Sequence, residues 1–437
     1  MNRRAFLQSS SAALAATQTA PAKPVRVGVL GTGNRGTSLI RRMLELGEAA
    51  IRAVYDPNPE AQARAQDLVA SQGQPKPEGY RGDAASEVWK RLVERDDLDA
   101  VIIASPWEYH APQAVYAMRA GKYPGVEVPV AQTVAQCWEL VRTSEETGVP
   151  CMMLENWSFR RDNLAVLKMI RAGLLGEIVH CHCAHGNDCV GRTPWYFDRQ
   201  GNPRWSGYYL IGRNCDQYPT HSLGPVLSWM NIGCGDAFDY VVSMASRSLG
   251  INSFFTKTLG PDHPAARRHY SQGDIVTSLI KTKKGNTIVV NNDMQLPAPY
   301  DNRWRIQGTE GLYCEERNAI YLWRRSPKEH EWEPFPPYQE KYEHEWWKPV
   351  SRPGGPAADQ LAQGHGGTDH QVLRHFLRAV RGRRQTPIDV YDSVNMSVLI
   401  PLSQQSIAQG GQPVKFPDFT GGRWATRKPE FALEAQG

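Results

Sequence analysis

Imidazole titrates near neutral pH, so a histidine framed by groups able to hold a substrate is a candidate proton acceptor. The stretch "QYPTHSLGP", residues 217–225, supplies one: Tyr218, Pro219 and Thr220 lead directly into His221, and an apolar pattern restarts behind it. Either a reaction takes place at His221 or it is a hydrogen-bonded histidine in the first turn of a helix. A second group lies in "GEIVHCHCAHGND", where strand alternation puts Val179, Cys181 and Cys183 on one face and His180 and His182 on the other. That split separates thiols from imidazoles, so a packed strand with buried thiols is expected and no metal.

These residues need a frame. In "VRVGVLGTGNRGTSLIRRMLEL" a short β-branched run feeds Gly31, Gly33 and Gly36 and then an amphipathic helix, which is GxGxxG in its required context. The first glycine permits the tight turn, the second lets the backbone approach a pyrophosphate, and the third lets helix and strand pack closely, with the helix N-terminus facing the phosphates. A second strand, "AIRAVYD", ends at Asp56, placed to hold the adenosine ribose hydroxyls. Pro57 and Asn58 follow it rather than an arginine for a 2′-phosphate, which favours NAD over NADP.

Further strands in "DAVIIASP", "GVEVP" and "PCMML" alternate with helices, implying a doubly wound parallel Rossmann sheet over residues 23–153. Ligands of such sheets lie beyond the strands' carboxyl ends, which here carry Trp107, Glu108, Tyr109, His110, Glu127, Val128, Glu155 and Asn156. After a helix in "NLAVLKMIRAGLLG", the alternating runs "EIVHCHCA", "DYVVSMAS", "IVTSLIKT", "NTIVVNNDM" and "RWRIQGTEGLYCE" predict an α+β domain over 154–437, built on an open, mainly antiparallel sheet. The Trp- and Pro-rich stretch from Tyr321 to Pro349 reads as a surface excursion, and the last helices as a return to the first domain.

At 437 residues the chain is long for one core, consistent with two domains. A hydrophobic fraction of 41% with 22% charged residues is that of a soluble globular protein. The net charge of +5 sits in short scattered clusters, so no nucleic-acid stripe is expected. Residues 1–22, "MNRRAFLQSSSAALAATQTAPA", pair Arg3 and Arg4 with a weakly apolar stretch too short to span a membrane. They read as a twin-arginine export signal, implying passage through that machinery in folded form, a periplasmic address, no membrane insertion and a tightly held cofactor. An apolar face left uncovered on the second sheet would seek a partner, so a homo-oligomer is expected.

A dinucleotide domain followed by an open sheet resembles the Gfo/Idh/MocA oxidoreductases, sugar and cyclitol dehydrogenases among them. Those dehydrogenases carry Glu-Lys-Pro at a strand end and an Asp four residues before the active-site histidine. Here the positions hold Glu127-Val128-Pro129 and Gln217. The departures, with "SPWEYH", "VEVP", "CMMLEN", "YPTHSLGP", "FDYVVSM" and "IQGTEG", resemble glycoside hydrolase family 109, NAD-dependent glycosidases that include α-N-acetylgalactosaminidases. Carried over by position, the resemblance implies that NAD meets Gly31, Gly33, Asn34, Arg35, Gly36, Asp56, Trp107, Glu108, Tyr109, His110, Glu127, Val128 and Asn156. A small glycoside or glycan terminus would meet Arg204, Tyr218, Pro219, Thr220, His221 and Tyr300, with Arg213 competing with Arg204. Where the family has a substrate-binding tyrosine this chain has His185.

The implied reaction oxidises the sugar at C3, removes the acidified C2 proton, eliminates the C1 substituent, adds water and restores NAD. His221 would be the base for the C3 hydroxyl, Tyr218 and Tyr300 would orient the sugar, and His185 would take over the C2 proton. The alternatives are an NAD-linked sugar dehydrogenase, which lacks the elimination, and a non-catalytic sugar-binding protein.

Overall fold

The computed structural model describes residues 23–83, 86–191, 195–348 and 365–433. The segment 1–22, read above as an export signal, lies outside them. Among the described residues no helix is long and apolar enough to cross a membrane.

The β-branched runs become six parallel strands: β1 (Val25–Leu30), β2 (Ala49–Tyr55), β3 (Glu78–Tyr80), β4 (Ala100–Ile103), β5 (Tyr123–Val126) and β6 (Met152–Met153). Their order, β3-β2-β1-β4-β5-β6, reverses between β1 and β4 and opens a crevice at the carboxyl edge there. Helices Asn34–Leu46, Pro59–Ser71, Trp107–Arg119 and Val134–Thr147 make the crossovers, and Leu39, Ile40 and Met43 bury the first against the sheet.

The second sheet has nine strands: β7 (Ile178–Gly186), β8 (Phe238–Ala245), β9 (Ile275–Thr282), β10 (Thr287–Asp293), β11 (Arg305–Gly308), β12 (Gly311–Cys314), β13 (Ala319–Leu322), β14 (Glu333–Pro334) and β15 (Val414–Lys415). They run in the order β14-β13-β12-β11-β7-β10-β9-β8-β15, and every pairing is antiparallel except β7 with β10. "RWRIQGTEGLYCE" is a hairpin rather than one strand, turning at Thr309-Glu310 between β11 and β12.

Helix Pro219–Trp229 crosses the inner face against β7 and β10. Trp229 and Trp304 are fully buried beneath it, with their N–H groups donated to the Asn163 and Ser222 carbonyls. Along β7, Cys181, Cys183 and His185 face inward, while His180 and His182 face outward onto Thr287 and Asn291. Val179, expected beside the thiols, is 45% exposed next to a register shift at Gln307–Gly308. The Trp-rich stretch is not wholly an excursion: it supplies part of β13 and all of β14, and buries Phe335 and Trp347.

The C-terminal helices join the two sheets. Helix Thr368–Gly382 packs on Asn34–Leu46. On helix Val390–Ser397, Ser393 Oγ accepts from Met153 N in β6 and Ser397 Oγ from Val130 N beyond β5, each at 3.1 Å. Helix Leu399–Ala408 does the same for β8, where Ser406 Oγ accepts from Ser243 N.

Candidate active site

The glycine loop has the shape a dinucleotide requires. Gly31 sits at φ +85°, and a Cβ there would lie 2.6 Å from the Ala104 carbonyl oxygen; at Gly36 it would lie 1.9 Å from the Gly31 oxygen. Both positions are closed to any side chain. Gly33, at the start of helix Asn34–Leu46, is the opposite: a Cβ would meet nothing within 4 Å, and no side chain caps the helix. The open first-turn N–H groups face the space where a pyrophosphate would sit. Asp56 follows β2 directly and braces the loop, accepting from Thr32 N at 2.6 Å and Asn58 N at 2.8 Å. These residues fit NAD.

Beyond the carboxyl edges of β4 to β6, the first turn of helix Pro219–Trp229 meets β7 and the segment after β6. His221 Nδ1 lies 2.6 Å from Glu155 Oε2, and Glu155 also accepts from Trp157 N at 2.8 Å. Glu155 is fully buried, which lifts its carboxyl to about 8, while burial pushes the His221 imidazole well below its usual value. His185, also buried and pushed down, has its ring centroid 5.2 Å from that of His221 and 5.1 Å from that of Tyr218. Tyr300 Oη lies 3.4 Å from His185 Nδ1, and Trp157 stacks edge-on against His221. The structure thus brings His185, Tyr218, His221 and Tyr300 together.

A polar hub adjoins this cluster. Arg35 gives Nε to Glu127 at 2.7 Å and two Nη groups to Asp369 at 2.8 and 3.1 Å. Asp369, buried at the start of helix Thr368–Gly382, also accepts from Asn156 Nδ2 at 2.9 Å and lies 3.0 Å from His365 Nδ1. The Arg35 guanidinium holds the Asp369 carboxyl well below the usual range, and the two carboxylates hold Arg35 charged. His365 is half exposed at the rim, edge-on to Trp157.

Other residues singled out from sequence stand differently. His110 is buried with its two ring nitrogens against the Pro129 and Ser105 carbonyls, at 2.7 and 2.8 Å. Trp107, Val128, Pro219 and Thr220 are buried, whereas Glu108 is exposed and Tyr109 partly so. Arg204 is exposed on a turn. Arg213 is bound to Gln132 Oε1 at 2.7 Å and Gln404 Oε1 at 2.9 Å. Among the described residues, neither arginine is hydrogen-bonded or ion-paired to the histidine cluster.

Two site residues, His365 and Asp369, and one contact escaped the sequence reading. Glu155 was visible at a strand end, but its bond to His221 was not. His365 and Asp369 had one signal: a histidine followed by two glycines, both at positive φ, just before a helix.

Known proteins share the sequence and the fold. A family model described as "Glycosyl hydrolase 109, C-terminal domain" matches residues 159–426, and one for the Gfo/Idh/MocA "Oxidoreductase family, NAD-binding Rossmann fold" matches 25–155. A glycosyl hydrolase family 109 protein of Stenotrophomonas maltophilia is 38% identical over 100% of this chain and 99% of its own. An alpha-N-acetylgalactosaminidase of Tannerella forsythia is 38% identical over 94% of this chain and 89% of its own. Levoglucosan dehydrogenase in complex with NADH and levoglucosan shares the fold at TM-score 0.67 and 19% identity, over 91% of this chain and 100% of that one. Its fold, its glycine loop and these matches place the chain in glycosyl hydrolase family 109, an NAD-dependent, carbohydrate-active branch of the Gfo/Idh/MocA architecture.

Proposed function

We propose that the protein is an NAD-dependent glycosidase acting on a small glycoside or glycan terminus of the N-acetylgalactosaminide type, exported by the twin-arginine route. The observation that carries this reading is the 2.6 Å contact between His221 Nδ1 and the buried Glu155 carboxyl, set beside the edge where the dinucleotide fits.

NAD, when bound, supplies a reversible oxidation of the sugar at C3. The chain's own groups do the rest. With Nδ1–H donated to the Glu155 carboxylate, His221 presents the lone pair of Nε2 to the C3 hydroxyl and removes its proton. Glu155 then faces a developing imidazolium and stabilises it, so it acts as a positioning residue through His221. His185, neutral and bonded to Tyr300, takes the proton at C2. His365, exposed at the rim and backed by Asp369, hands a proton to the departing C1 oxygen. Tyr218 and Trp157 wall the sugar and limit water.

A second reading is favoured by one observation, the fold shared with levoglucosan dehydrogenase: an NAD-linked sugar dehydrogenase that stops after oxidation. Against it stands Val128, where such dehydrogenases resembling this chain place a lysine. Purified holoenzyme offered synthetic α- and β-glycosides without added NAD separates the two. Release of the aglycone over many turnovers supports the glycosidase; reduced nicotinamide accumulating one per sugar, without cleavage, supports the dehydrogenase.

A further inference from the structure

A glycosidase that oxidises and then reduces its substrate must keep the reduced cofactor through the cycle, whereas a dehydrogenase must let it go. Retention therefore decides the outcome of the reaction, and the fold shows what could enforce it. The segment from Arg204 to Arg213 belongs to the second domain yet is fastened to the first at three points. Tyr209 Oη donates to Glu108 Oε2 at 3.1 Å, and Arg213 Nη1 donates to Gln132 Oε1 at 2.7 Å. The Trp107 ring lies 5.2 Å from Trp205 and 5.1 Å from Tyr209, between centroids. The residues gripped follow the carboxyl ends of β4 and β5, beside the crevice where a doubly wound sheet holds a dinucleotide. Arg213 is tied back to Gln404 at 2.9 Å and lies over the Tyr209 ring, so the segment is anchored at its far end.

We propose that this segment is a latch over the nicotinamide end of the cofactor groove, and that Tyr209 and Arg213 are positioning residues that hold the dinucleotide between turnovers. Arg213, a substrate candidate from sequence, is thereby assigned to the latch. The proposal deepens the glycosidase reading, but its test needs no sugar.

Holoenzyme is mixed with excess isotopically labelled NAD, and exchange of bound cofactor is followed by mass spectrometry after denaturation. Tyr209→Phe keeps the ring and loses one hydrogen bond to a charged acceptor, so exchange accelerates about tenfold; Tyr209→Phe with Arg213→Met accelerates it about a hundredfold. Exchange within twofold of wild type in a Tyr209→Phe protein of unchanged melting temperature overturns the latch. If the double variant does not fold, the single variant decides. Failure of the glycosidase reading shows separately, as a wild type that reduces NAD on sugar without cleaving it.

Discussion

His221 and Glu155 stand 66 positions apart in the chain and share a 2.6 Å contact inside the protein, one side chain from the first turn of a helix and the other from the end of the parallel sheet. Neither group keeps its ordinary titration there. Burial favours a protonated carboxyl on Glu155 up to about pH 8 and a neutral imidazole on His221. The two titrate as a pair, and only after the pair has lost a proton is Nε2 of His221 free to accept one.

The oxidation step therefore accelerates as pH rises through about 8. Glu155→Gln still accepts from Nδ1 but contributes no titration, so the rising limb moves to lower pH and the plateau falls by about 10- to 100-fold. Single-turnover absorbance of the reduced nicotinamide, measured across pH, reads both effects.

Asp369→Asn leaves the partly buried Arg35 guanidinium with Glu127 as its remaining carboxylate. The loss of stability is about 3 kcal/mol at neutral pH. Because the Asp369 carboxyl is held below its unfolded value, its contribution is present above about pH 4 and fades as acid protonates it. Chemical denaturation of the two proteins should show the gap narrowing on acidification.

Gly33→Ala and Gly36→Ala separate cofactor binding from folding. A methyl at Gly33 meets no protein atom but fills the space before the helix N-terminus; NAD affinity falls at least tenfold with the melting temperature unchanged. A methyl at Gly36 strikes the Gly31 carbonyl oxygen, and the first domain itself is destabilised. Calorimetric titration of stripped protein with NAD, beside thermal melts, checks the contrast.

His185→Ala removes the imidazole proposed for C2. Solvent deuterium should then enter C2 at least a hundredfold more slowly while oxidation at C3 persists; undiminished exchange excludes the role.

Much of this was legible in sequence because its signals are local. GxGxxG between a β-branched run and an amphipathic helix specifies the turn, the close contact and the helix end within the six residues from Gly31 to Gly36, since the constraints are steric. The period-two pattern of β7 likewise put the thiols on one face and His180 and His182 on the other, and His185 follows the same inward phase as Cys181 and Cys183. The hub around Asp369 was not legible. Arg35, Glu127, Asn156 and Asp369 come from four segments, and Arg35 meets Asp369 across 334 positions. Such contacts are fixed by how the C-terminal helix seats on the first domain. Arg213 shows the converse: the family resemblance made it a candidate sugar ligand in competition with Arg204, yet Gln132 and Gln404 engage its guanidinium.

The central claim is that cleavage runs through a dinucleotide held beside His221. It is tested most directly by removing NAD, confirming that the protein remains folded, and measuring aglycone release from a glycoside that the holoenzyme cleaves. Release should vanish and return on addition of one NAD per chain. Undiminished release from the stripped protein would contradict the claim.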